Sequence, residues 1–192
     1  MRRAAVVGAW CLLLGVIFDA PSFAADAPSF RHEVIPILSR AGCNGGGCHG
    51  ALAGKGGFRL SLFGYDPEAD YRAITRDALG RRIELGEPGR SLLLAKPTTA
   101  LPHKGGLRLE PGSKDYDIIA RWIAAGAPPP REDDPELVAL EVEPSETTLA
   151  IGESFDLAVR ARYSDGVVRD VTRWARFTST NGTVATVDEN GK

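Results

Sequence analysis

Sulfur is scarce in this chain, whose 192 residues include three cysteines and one methionine. That is too little for a scaffold stapled by several disulfides. Charge imbalance is also missing. With 23 basic and 25 acidic residues the formal net charge is -2, and no long single-sign run occurs, so nothing recommends nucleic acid as a partner. Beyond the first 25 residues no apolar run is long enough to span a bilayer, which predicts no membrane span in the mature chain. A combined set of nucleophile, base and orienting group is absent as well, so no catalytic reaction is assigned.

The N-terminus is the first informative segment. Arg2 and Arg3 precede an apolar run from Ala4 to Phe18, followed by Ser22-Phe23-Ala24. A basic start, a short apolar stretch and small residues before the cut predict a secretory signal peptide over residues 1–25, cleaved after Ala24 or Ala25. The protein is then exported, periplasmic or at the cell surface. Met1 and Cys11 would leave with the signal, and the remaining chain of about 167 residues would keep Cys43 and Cys48 as its thiols.

Those thiols lie in Ala41-Gly42-Cys43-Asn44-Gly45-Gly46-Gly47-Cys48-His49-Gly50. Two cysteines followed at once by histidine form a c-type haem attachment pattern, here with four residues between the sulfurs instead of two. In this reading Cys43 and Cys48 bind haem c through thioethers and His49 is the proximal iron ligand. Three consecutive glycines are expected to give the wider loop the backbone freedom to deliver both sulfurs. A Cys43–Cys48 disulfide is the alternative in an oxidising compartment. A zinc site would have to draw on Cys43, Cys48, His49 and His103, and adjacent Cys48 and His49 fit poorly at one tetrahedral centre. Gly54-Lys55-Gly56-Gly57 lacks the spacing of a phosphate-binding loop.

Around this motif the pattern is helical. Phe30, Val34, Ile37 and Leu38 share a helix face, with Pro36 marking a kink or a late start. Asp66 and Pro67 predict a second helix start, with Glu68 placed to pair with Arg72 and Leu79-Gly80 closing the helix. Ser113 predicts the cap of a third helix through Tyr116, Ile119, Trp122 and Ile123. A stiff proline-rich linker follows at residues 128–136. Beyond it, alternation from Phe155 to Tyr163 and the turn Ser164-Asp165-Gly166 predict strands and a hairpin. Strands are also expected at Leu137–Glu143, Thr148–Glu153 and Thr183–Asp188, a spacing that suggests a β-sandwich.

Residues from about Phe30 to Pro130 resemble the planctomycete-type cytochrome c module. The resemblance is carried by residues 34–38 and 43–50, by Gly56-Gly57-Phe58-Arg59-Leu60-Ser61-Leu62-Phe63-Gly64, and by residues 88–94 and 121–128. Residues 137–192 resemble a bacterial Ig-like domain of group 2 through residues 149–153, 163–166, 170–172 and 184–188. Together the resemblances imply a multidomain chain: a mainly α cytochrome c-like haem domain at residues 26–127, the linker, and an all-β Ig-like sandwich at 137–192. The sandwich is expected to be incomplete at the C-terminus, because such domains continue with further strands. In related cytochrome modules a Met-Pro stretch supplies the sixth iron ligand. Here the comparable stretch is Leu101-Pro102-His103-Lys104-Gly105-Gly106, which makes His103 the candidate distal ligand, with His32 as the other possibility. The implied function is electron transfer to an unknown redox partner protein, with the Ig-like module acting as a spacer or engaging a cell-surface polymer or protein. The alternative is a non-redox surface protein closed by the disulfide.

Overall fold

The computed structural model describes residues 27–192, so the expected signal peptide, Met1 and Cys11 lie outside the described residues. Helical structure opens with one π-helical turn, Phe30–Val34, which runs directly into helix α1, Ile35–Arg40. Ser29 Oγ accepts a hydrogen bond from the His32 amide at 3.2 Å. Pro36 sits in the first turn of α1, at the junction with the π-helical turn, where its missing N–H removes one bond from an otherwise continuous helical run.

Helix α2, Pro67–Thr75, begins as its sequence dictates, with Asp66 accepting from the Ala69 amide at 2.9 Å. Glu68 reaches across to Arg31 instead of along the helix to Arg72. The helix also stops earlier than Leu79-Gly80. Residues Asp77–Gly80 form a 3-10 turn in which Ala78 and Leu79 take left-handed backbone angles. Helix α3 is the single turn Leu92–Ala95. Helix α4, Lys114–Ala124, is capped by Ser113 Oγ, which accepts from the Tyr116 amide at 3.2 Å.

The core forms where the apolar faces of these helices meet. Phe30, Val34, Ile37 and Leu38 pack with Ile74 of α2, Leu93 and Leu94 of α3, and Ile118, Ile119, Trp122 and Ile123 of α4. Trp122 lies at the centre, 0% exposed. Its ring is 5.2 Å from Phe30 and 6.4 Å from Tyr71, and its Nε1 donates to the Pro128 carbonyl at 2.9 Å.

After the prolines the chain forms one antiparallel sheet of three strands in the order β1 (Leu137–Glu143), β2 (Ala158–Tyr163), β3 (Val168–Asp170). Val142 pairs with Val159 and Leu140 with Ala161. The turn after β2 closes as a hairpin, the Gly166 amide donating to the Tyr163 carbonyl at 2.9 Å. Alternation along β2 buries Val159, Ala161 and Tyr163 and turns Arg160 and Arg162 outward to Glu143 and Glu141.

The two-domain fold class expected from the sequence is overturned. The described residues form a small mixed α/β structure of four α-helices and one three-stranded sheet, 29% helical and 11% strand. It is not a mainly α haem domain followed by an Ig-like sandwich. A sandwich needs a second sheet over the first, yet Thr148–Glu153 and Thr183–Asp188 form turns and irregular chain, and Leu137, Val138, Leu140 and Val142 of β1 stay exposed. The helices fall short of a mainly α domain because left-handed glycines, among them Gly54, Gly56, Gly57 and Gly64, interrupt the chain after the cysteine loop. The sheet packs against the helical part: the Tyr163 ring lies 4.9 Å from His32, and Arg173 pairs with Asp115 at the start of α4. Arg40 at the end of α1 donates to the Glu189 carbonyl at 2.9 Å.

Candidate functional site

The cysteine loop is fixed from both ends of its own sequence. The Cys43 amide donates to the Leu38 carbonyl of α1 at 2.9 Å, the His49 amide to the Cys43 carbonyl at 2.9 Å, and the Gly50 amide to the Gly45 carbonyl at 3.1 Å. Asn44, fully buried, donates through Nδ2 to Ser39 Oγ at 2.8 Å. None of Gly45, Gly46 and Gly47 takes a positive φ, so the loop does not use the unusual angles that three glycines would permit. The glycine it requires is Gly50, where a Cβ would meet the Asn44 carbonyl oxygen at 2.0 Å.

Cys43, Cys48, His49 and His103 line one cavity of about 1040 Å³. That lies just above the range of about 300–1,000 Å³ usual for ligand pockets. Leu38, Phe58, Leu60, Leu92 and Leu93 supply its apolar wall. Cys43 and Cys48 are both free thiols. Burial, reinforced by neighbouring Cys48, pushes the Cys43 thiol up to about 11, while Arg108 acts in the opposite direction.

The histidines provide the most specific geometry. His49 and His103 rings are nearly parallel, at 10°, with centroids 6.4 Å apart. The Nδ1 atom of His49 lies 3.1 Å from the Phe58 carbonyl, and that of His103 lies 3.0 Å from the Gly106 carbonyl. A carbonyl can only accept, so each Nδ1 carries a proton, and in the neutral ring Nε2 is the nitrogen with the lone pair. Burial holds the His49 imidazole below its ordinary value, although the hydrogen bond to Phe58 favours the protonated ring. The Phe58 ring packs 4.6 Å from the His49 ring.

His32 takes no part in this arrangement. It faces Tyr163 at the seam with the sheet, buried, and its Nε2 has no hydrogen-bond partner. Among the described residues no three His, Cys, Asp or Glu side chains gather as a metal site, so the four-ligand zinc arrangement of Cys43, Cys48, His49 and His103 is not assembled. Nor is any helix of the described residues long and apolar enough to cross a membrane.

Two participants carry no clear signal in the sequence. Phe58 stands out in the sequence only as one residue of the resembling stretch Gly56–Gly64, with no sign of its role, yet it supplies the carbonyl that orients His49. Arg82 sits within an unremarkable basic pair, yet its guanidinium lies 4.6 Å over the Phe58 ring and its Nη2 donates to the Gly57 carbonyl at 2.8 Å.

Comparison with protein-family models, with curated proteins and with solved structures finds no match to this chain.

Proposed function

We propose that this protein binds one haem c covalently, with thioethers from Cys43 and Cys48 and with His49 and His103 as the iron ligands, and that it transfers electrons. One observation carries the reading. Two imidazoles bound from opposite sides of one metal, each at about 2.0–2.1 Å, have ring centres about 6–6.5 Å apart. His49 and His103 stand parallel at 6.4 Å, each with Nδ1 tied to a carbonyl. That tie is the usual outer-shell arrangement of a metal-bound histidine: it fixes the tautomer, aims the ring and raises the basicity of the free nitrogen.

The donor set also suits iron already held in a macrocycle, because haem needs two further ligands where bare zinc needs four. When bound, haem would supply reversible one-electron chemistry. The chain's part is to exclude water through Leu38, Phe58, Leu60, Leu92 and Leu93 and to hold the two imidazoles in place. Two histidine ligands would lower the reduction potential relative to a histidine and methionine pair. In this reading the protein is exported and serves an unknown redox partner protein.

The decisive measurement is an absorbance spectrum of the protein purified from a host able to attach haem c. A chromophore that survives denaturation, and is lost or weakened in Cys48→Ala, supports the reading. Colourless protein with a Cys43–Cys48 disulfide would reject it in favour of a non-redox surface protein.

A further inference from the structure

The charged residues that line the cavity are all of one sign. Lys55, Arg81, Arg82, Lys96 and Lys104 line it, and no aspartate or glutamate does. None of these five side chains forms an ion pair with a carboxylate among the described residues. Four of them are exposed, where an unpaired charge is hydrated and costs little. Arg82 differs, because it is 6% exposed.

Arg82 satisfies part of its hydrogen-bonding capacity with backbone. Nη1 donates to the Ala73 carbonyl at 2.7 Å and the Asp77 carbonyl at 3.0 Å, and Nη2 to the Gly57 carbonyl at 2.8 Å. Carbonyl dipoles do not neutralise a full charge, and a buried cation without a counter-ion is strongly disfavoured. Burial correspondingly weakens the hold of this guanidinium on its proton, with Asp77 opposing the effect. Guanidinium has five N–H groups in a planar fork, so donors remain available for a ligand. Two parallel N–H groups match a carboxylate in a bidentate pair.

We infer that the cavity binds its occupant with a carboxylate edge directed at its basic lining, Arg82 above all, so that the carboxylates of a porphyrin supply a counter-charge to the buried guanidinium and fix which edge of the ring lies against it. The inference rests on the haem reading but makes a separate claim, about orientation through charge. Arg82 acts here as a positioning residue. It braces the Gly57–Phe58 segment that orients His49 and pairs with the acidic edge of the ligand.

The test is fluorescence-quenching titration of the full chain with protoporphyrin IX and with its dimethyl ester, which keeps the ring and removes the charge. The free acid should bind at least tenfold more tightly than the ester. That preference should collapse in Arg82→Gln and shrink as salt is raised. Arg82→Gln also loses backbone bonds, so Lys55→Gln/Arg81→Gln provides a variant that leaves those bonds in place, and it should reduce the preference at least threefold. Equal affinity for acid and ester, or a preference unchanged in both variants, overturns the inference. If the protein carries covalent haem while the two porphyrins bind alike, the orientation claim alone falls. Failure of both porphyrins to bind, with no covalent haem, removes the haem reading too.

Discussion

A Cβ placed on Gly50 would lie 2.0 Å from the carbonyl oxygen of Asn44, well inside any real contact. The two backbones meet because the His49 and Gly50 amides fold back onto Cys43 and Gly45, which sets the width of the cysteine loop.

Gly50→Ala should therefore destabilise the protein by at least ~2 kcal/mol, lowering the midpoint of thermal unfolding by roughly 4–8 °C. Gly47→Ala should stay within about 0.5 kcal/mol of the parent, because nothing lies within 4 Å of a Cβ there and its φ is not positive. Differential scanning calorimetry of the two variants decides the matter, and equal melting points would contradict this account of the loop.

If haem is held as proposed, His103→Ala should convert its spectrum from low-spin to high-spin. Gly105→Ala should act on the same ligand indirectly, since its Cβ would press on His103 Cε1 at 2.7 Å. Its expected effect is a partial shift in spin state with the haem still attached. Visible absorption and electron paramagnetic resonance read both changes, and an unaltered spectrum in His103→Ala removes His103 from the iron.

Cys43 gives a prediction for the haem-free chain at alkaline pH. Its thiol titrates near 11 against an ordinary value of 9.0. A folded-state value raised in this way favours the folded protein below pH 9, and the contribution is lost as pH rises through 11. The loss should be on the order of 2 kcal/mol by denaturant titration, and Cys43→Ala should abolish it. In the same window the alkylation rate of Cys43 should climb with pH and level off only near 11.

His32 should produce the opposite pH dependence on the acid side. Burial lowers its value below 6.5; Asp134 and Asp165 resist this shift, while Arg169 and Arg31 reinforce it. The folded state prefers the neutral ring, so stability is present above pH 6.5 and falls as acid forces a proton onto it. His32→Phe keeps a ring against Tyr163 and should flatten the slope of stability between pH 7 and 5. A slope unchanged in that variant would assign acid sensitivity to other groups.

Trp122→Ala should cost about 3–5 kcal/mol, because it empties the centre of the core and frees the Pro128 carbonyl from its donor. Trp122→Phe should lose less, retaining the contact with Phe30. Chemical denaturation of the two variants separates the packing contribution from that of the hydrogen bond.

What the sequence disclosed follows from how local each signal is. Caps at Asp66 and Ser113 and the hairpin at Ser164-Asp165-Gly166 depend on a few adjacent residues and appear where their chemistry puts them. The alternation along β2 is equally direct, since one face is buried and the other bears arginines. The expected second sheet does not form because short apolar runs such as Thr183–Asp188 have strand composition but no partner to pair with among the described residues, and β structure is decided by partners. Glycine freedom was also misplaced: Gly45 to Gly47 look like the critical residues, whereas the constraint falls on Gly50, which is set by a backbone approach that composition does not reveal. The facing of His103 on His49, suggested by a resemblance, depends in the structure on a turn in which Leu101 and Arg108 bond back to Ala95 and Pro97.

Each imidazole is anchored locally, yet the two meet across a long stretch of chain. His49 and its carbonyl partner Phe58 are nine residues apart, and the Leu60 amide closes the same turn onto the His49 carbonyl, so this wall can form early, at small loop-closure cost. His103 closes its own turn more locally still, on the Gly106 carbonyl three residues on, but its approach to His49 joins distant parts of the chain, a closure of higher contact order and slower formation. In refolding experiments the His49 wall should acquire native protection first, and the approach of His103 should serve as a kinetic marker for completion of the tertiary structure.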